Sequence, residues 1–322
     1  MSPSMLTTAD STTSAAPLRC AVVPRAPEPI EVVEYTDPGC SWAWGSEPKL
    51  RLLRWRFGDR LRWRRVLGGL IGDMRNYLDG FDAVQAAPGF SRYWAHVAAT
   101  TGMPYPAGLS WMYRSTEPAC LAAKAAELQG ADVAERVLRR LREATFVFGE
   151  PPDTPERIRT ALRGVPALDL ERLGVDSSSP RVRDAFRADW EEARAPNAYA
   201  LSLEEDGESS GRAKESEGHR RYVFPTVIFR GPEGERTVPG WKPYERYEEA
   251  LVAVAAGPLR DPRPAPTPME AFATWAALAA TELEVVCGPG ASAPPGVITC
   301  DRGGGLYWLS PDEAETRGIG PH

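Results

Sequence analysis

The order of strand and helix signals along this chain constrains its fold more than any single motif. Ile30 to Thr36 is rich in Val, Ile and Tyr and predicts a buried strand. From Cys40 to Phe57 the apolar residues Trp44, Leu50, Leu53 and Phe57 recur at helical spacing, and Gly58-Asp59 is a stop signal. Leu61 to Leu67 alternates and ends at Gly68-Gly69, which predicts a second strand. Strand, helix and strand in so short a stretch form a βαβ unit, so the two strands should be parallel. Little strand character follows until Tyr222. There Val223, Phe224, Val227, Ile228 and Phe229 surround Pro225, and a short strand over Glu235–Val238 and a helix over Pro243–Ala255 come next. The pattern is βαβ, a helical insertion, then ββα: an α/β fold in which strands distant in sequence share one sheet.

This order sets the domain organisation. Residues 30–70 and 221–257 are expected to form one domain, interrupted by an all-helical insertion at 71–202 that folds over it as a lid and by a polar, Gly/Ser-rich flexible loop at 203–220. Within the insertion, Ala119–Leu128, Ala131–Phe148, Thr154–Leu162, Asp169–Leu173 and Val182–Ala193 carry helical patterns. Residues 1–29, rich in Ser, Thr, Ala and Pro, read as a disordered tail with no secretory signal. A Pro-rich linker at 258–268 leads to a small extension at 269–322, read as two short helices and a hairpin of Val297–Thr299 with Leu306–Leu309. That extension is either a winged-helix-like appendage or a plain packing extension.

Composition narrows the function classes. A net charge of −6 counts against nucleic acid as a partner, and Arg302 and Arg317 are the only Lys or Arg residues after Met269. No apolar run approaches the ~20 residues of a membrane span. The cysteines Cys20, Cys40, Cys120, Cys287 and Cys300 are scattered and odd in number, which suggests a reducing compartment, the cytoplasm. Three histidines without ligand spacing give no metal site. Seven arginines between Arg51 and Arg65 could dock an acidic partner, but strand alternation divides them between faces and favours pairing with the abundant acids.

Cys40 is the residue with chemistry to offer. It opens the first helix after the first strand, in Asp37-Pro38-Gly39-Cys40-Ser41-Trp42-Ala43-Trp44. Unpaired N–H groups at a helix N-terminus favour a thiolate over a thiol, so a depressed pKa is expected. Three residues on, where a redox pair has its second cysteine, stands Ala43. Together with the helical insertion and the later Phe224-Pro225-Thr226-Val227, this segment resembles the DsbA family of thioredoxin-fold proteins. The run to Pro48 and the segment Ser115-Thr116-Glu117-Pro118-Ala119-Cys120 are similar to the branch with FrnE-like dithiol-disulfide isomerases and Spx-degradation adaptors.

The resemblance covers Glu31 to Gly257 and implies roles for particular residues. Cys40 would be the nucleophile. Pro225 would be the family's cis-proline, and with Phe224, Thr226 and Trp42 would line a groove for an extended substrate. Ala43 departs from the motif, because alanine cannot resolve a mixed disulfide. Three functions therefore stay open: a monothiol thiol-disulfide oxidoreductase or isomerase, a non-catalytic adaptor or chaperone, and a thiol-conjugate enzyme related to kappa-class glutathione transferase. The last uses a serine near this place, and Ser41 stands one residue late. The implied partner is a protein or a small-molecule thiol or disulfide. No bound cofactor is expected, while a low-molecular-weight thiol of the glutathione or mycothiol type could take part. Cys120 is a candidate resolving thiol or simply a small residue in an Ala-rich helix. His96 could reach the site from the lid, and Trp44 is either a groove wall or core.

Overall fold

The computed structural model describes residues 1, 28–204, 207, 210–257, 259, 261–301 and 303–320. The tail expected at 1–29 therefore lies, for residues 2–27 and with Cys20, outside the described residues, as do parts of the expected loop (205, 206, 208, 209) and linker (258, 260).

Strand β1 (Ile30–Thr36) is buried on both faces over most of its length, and its buried Glu34 is paired with Arg65 and Arg54. The helical pattern from Cys40 splits in two, α1 (Ser41–Trp44) and α2 (Glu47–Phe57), separated at Gly45-Ser46. A Cβ on Gly45 would fall 2.4 Å from Thr101 Cγ2, so the joint is closely packed. Strand β2 (Leu61–Leu67) then pairs parallel to β1, in register from Ile30↔Leu61 to Thr36↔Leu67.

The insertion comprises α3 (Ala83–Thr101), α4 (Glu117–Ala126), α5 (Ala131–Phe146), α6 (Pro155–Leu162), α7 (Leu170–Ser177), α8 (Pro180–Ala193) and α9 (Ala198–Ser202). Helix α3 carries Pro88 inside it and was not legible as a helix, because Ala-Pro-Gly reads as a breaker. Asp82 starts it, accepting from the amides of Val84 and Gln85. The span read as a loop at 203–220 contains part of a small hairpin, β3 (Lys214–Ser216) with β4 (His219–Arg221), turning at Glu217-Gly218.

Strands β5 (Thr226–Gly231) and β6 (Gly234–Pro239) complete a sheet of order β2-β1-β5-β6, with β5 antiparallel to both neighbours. β5 begins at Thr226, not Tyr222: Pro225 has no N–H for a ladder, and the Phe224–Pro225 peptide is cis. Helix α10 (Tyr244–Val254) packs with α2 on one face, around Val32, Leu53, Phe229, Tyr247 and Leu251. The other face, around Val33, Tyr35 and Ile228, is covered by α1 and by residues of α3, α8 and α9.

The C-terminal segment adds α11 (Pro268–Trp275), β7 (Ala277–Ala279), α12 (Ala280–Cys287), β8 (Ile298–Asp301), β9 (Leu306–Leu309) and α13 (Pro311–Thr316). The sheet has order β7-β9-β8, so the hairpin gains a third strand from between the two helices. This unit is tied down by charge. Arg139 of α5 makes a bidentate pair with Glu282 at 2.8 and 2.7 Å, Arg317 reaches Glu143 at 2.6 Å, and Tyr307 donates to Glu143. Burial alone would raise the Glu143 carboxyl, but Arg317 and Arg139 outweigh it and hold the group down at about 2. Arg142, also on α5, contacts Glu47 of α2 and Thr36 of β1. Helix α5 thus joins sheet, insertion and C-terminal unit through one buried ionic cluster.

Candidate functional site

The site forms where β1 ends. Asp37 stops the strand and turns its carboxylate inward, where it accepts from Gly39 N at 2.8 Å, Leu70 N at 2.6 Å, Thr116 Oγ1 at 3.0 Å and Cys120 Sγ at 3.3 Å. Burial raises its pKa against those hydrogen bonds. The aspartate holds three chain segments together: the β1 turn, the Gly68-Gly69 turn after β2, and the start of α4. A Cβ on Gly39 would fall 2.7 Å from Thr116 Cγ2, so glycine is needed for that closure.

Cys40 follows as the N-cap of α1. Its sulfur accepts from Ala43 N at 3.4 Å and donates to Phe224 O at 3.3 Å. The residue is only 5% exposed. Burial pushes the thiol up to about 11; the Ala43 amide opposes this, Asp37 adds to it, and Arg142 and Arg221 oppose it. This corrects the expected low pKa. The four-residue α1 does offer an amide, but removal from water outweighs it, and at neutral pH the sulfur is a thiol that donates.

The residues proposed for the groove do converge here. The Phe224 carbonyl meets Cys40, Pro225 O accepts from Gly240 N at 2.8 Å, and Thr226 Oγ1 donates to Val223 O at 2.7 Å. The Phe224 ring lies over Gly68, where a Cβ would stand 1.9 Å from Cζ. Trp42 donates to Tyr93 Oη at 3.2 Å and lies 6.5 Å, centroid to centroid, from Trp241. All of Cys40, Trp42, Phe224, Pro225 and Thr226 are buried, so the site is closed over by the insertion. Ala43 is buried beside them and supplies its amide to the sulfur.

Other candidates fall elsewhere. Trp44 is core: its indole donates to Pro104 O at 2.8 Å and its ring stacks on Phe146. His96 lies on the exposed side of α3, and Tyr93, one turn earlier, is the lid residue that reaches the site. Cys120 is a buried donor to Asp37 with its pKa well above the ordinary thiol value, from burial first and then Asp37. Cys40, Cys120, Cys287 and Cys300 all carry reduced thiols. The arginine run is dispersed into ion pairs, among them Arg64–Glu192 at 2.7 Å and Arg56–Glu248 at 3.1 Å. Asp37, Tyr93 and Arg221 were missed in the sequence; Asp37 could have been found as the acid at the end of a buried strand.

Residues 34–197 match the family described as Thioredoxin. The chain belongs to this thioredoxin family. Its βαβ start and helical insertion are the matched part. Among curated proteins it is 30% identical over 176 residues to the ClpXP adapter protein SpxH of Shouchella clausii, covering 53% of this chain and 57% of that one. It is 26% identical over 255 residues to SpxH of Bacillus subtilis, covering 76% and 73%. The chain spans a little over half the length of the first of these relatives. Among solved structures, the cytosolic disulfide reductase DsbM of Pseudomonas aeruginosa superposes with a TM-score of 0.50 at 18% identity, over 70% of this chain and 100% of that one. A Nitrosomonas europaea chain described as a protein disulfide isomerase superposes at 0.52 and 17%, over 70% and 96%. At such identities these likenesses concern the thioredoxin fold. No helix among the described residues is long and apolar enough to cross a membrane.

Proposed function

We propose that the chain is a thioredoxin-fold adaptor that binds a protein client along the Phe224–Thr226 strip, as its SpxH relatives are named adapters for ClpXP. The observation that carries this reading is the state of Cys40. Its thiol is buried, protonated and engaged with the Phe224 carbonyl, and position 43 has no thiol to resolve a mixed disulfide. Such a sulfur serves to shape the strip. The strip is covered in this structure, so an extended segment laid beside Pro225 in the manner of strand addition would enter as the insertion moves aside and would take the Phe224 carbonyl from Cys40.

A second reading, monothiol thiol-disulfide exchange in the cytoplasm with a protein or small-thiol substrate, is favoured by one observation: the Cys40 thiol meets the carbonyl of Phe224, the residue before the cis-proline. In that reaction the Cys40 thiolate would attack a substrate disulfide, forming a mixed disulfide and releasing one substrate thiolate. A low-molecular-weight thiol would then release Cys40.

Alkylation separates the two. With iodoacetamide at pH 7, Cys40 should react roughly a hundredfold or more slowly than free cysteine, because its thiolate fraction is small. Reaction faster than free cysteine would sink the adaptor reading. Client binding should also survive Cys40→Ala under that reading.

A further inference from the structure

Around Phe224 and the Gly68-Gly69 turn, two guanidinium groups with little exposure lack a close counter-charge. Arg221, at the end of β4, is 9% exposed; it donates to Tyr222 O at 2.9 Å and lies 4.8 Å over the Phe224 ring. Among the described residues no carboxylate stands within ion-pair distance of it, and its Nε has no hydrogen-bond partner. Arg194, just after α8, donates to Gly68 O at 2.8 Å, stacks 3.6 Å over Trp190, and likewise leaves its Nε without a partner. Burial and then Arg221 bring Arg194 down to about 10, so the two cations disfavour each other. A desolvated, poorly paired guanidinium is costly, and two together call for an anion.

Among the described residues, the carboxylate that reaches Arg194 is Glu217. Glu217 lies in the β3–β4 turn with φ of +52°, a left-handed conformation that a glutamate adopts only at a cost. Its side chain folds over Gly72, where a Cβ would stand 2.7 Å from Oε1, and reaches Arg194 only at 3.9 Å. Tyr77, Asp37 and Cys40 are the other titratable groups facing Arg221.

We propose that Arg194 and Arg221 form a carboxylate-binding niche beside Cys40, that Glu217 is its resident stand-in, and that an acidic residue of the extended client displaces Glu217. Guanidinium groups match a planar carboxylate in geometry and charge. The niche borders Phe224, so the acid would sit next to the client segment lying along the strip. This inference rests on the peptide-binding reading above and adds the client's chemistry: an extended segment with a carboxylate near the residue opposite Phe224. A small thiol acid carries the same group and is the competing source.

The test is fluorescence anisotropy of two labelled, end-capped hexapeptides that differ by one Glu or Gln, with wild type, Glu217→Gln, Arg221→Lys and Arg221→Met. The Glu peptide should bind wild type about tenfold tighter than the Gln peptide. Glu217→Gln, on an exposed turn, should tighten the Glu peptide about fivefold and leave the Gln peptide unchanged. Arg221→Met should abolish the Glu preference and Arg221→Lys retain part of it. Equal binding of both peptides to wild type and to Glu217→Gln would overturn the niche while leaving the peptide strip intact. Binding of neither peptide would overturn both. Displacement of the Glu peptide by equimolar glutathione would assign the niche to a small thiol acid and overturn the client assignment.

Discussion

At Cys40 one atom reverses the chemistry that its position suggests. The N-cap geometry is present, but the sulfur is removed from water, and removal from water disfavours the thiolate more than one amide favours it. The folded thiol titrates at about 11 against an ordinary value of 9.0. A raised folded pKa contributes stability that is complete below the unfolded pKa and lost as pH climbs through the folded one. Folding should therefore weaken by about 2–3 kcal/mol between about pH 9 and pH 11, and Cys40→Ala should flatten that part of the curve in urea melts. Gly68 offers a second check at this scale. Alanine there must push the Phe224 ring aside. Gly68→Ala is expected to cost about 1–3 kcal/mol and to speed Cys40 alkylation, because the accepting carbonyl moves with the ring. Unchanged alkylation would mean that Phe224 does not hold the thiol. The sequence made Cys40, Ala43 and Pro225 legible, since each is defined by local order. It could not show Asp37 gathering donors from three segments, or Arg221 under the strip, because those meetings depend on how the insertion closes.

At the scale of elements, β1, β2 and their parallel pairing were readable in residue patterns alone, and the structure reproduces their bounds. The misreadings have local causes. Pro88 hid α3, Gly45 divided α1 from α2, and a charged stretch concealed the β3–β4 hairpin. Helix α5 was recognised by its apolar stripe, yet its buried arginines are what tie it down. Arg142 spans from α5 to Glu47 of α2 and Thr36 of β1, and is 1% exposed as a side chain. Arg142→Met should destabilise the chain by about 3–5 kcal/mol, because it removes the closest cation from the buried Glu47 carboxylate. Chemical denaturation measures this, and a loss below 1 kcal/mol would show that the cluster relaxes to water.

Over the whole molecule, the C-terminal unit is tied to the rest through α5 and α3. Glu282, Tyr307 and Arg317 are the partners of Arg139 and Glu143, and Thr281 donates to Gly102 O at 2.6 Å. Calorimetry of the full chain should accordingly give a single unfolding transition. Two separated transitions, one belonging to residues 269–322, would mean that the ionic cluster does not couple the units. Glu282→Gln should lower that single transition and not split it.

The hydrogen bond from Cys40 to Phe224 also bears on how the protein meets oxidants. Peroxides and disulfides seek thiolates, and this chain keeps the sulfur beside Phe224 in the unreactive form. Cys40 should therefore stay reduced under peroxide exposure that oxidises a free thiolate, and the packing around Phe224 should keep its shape.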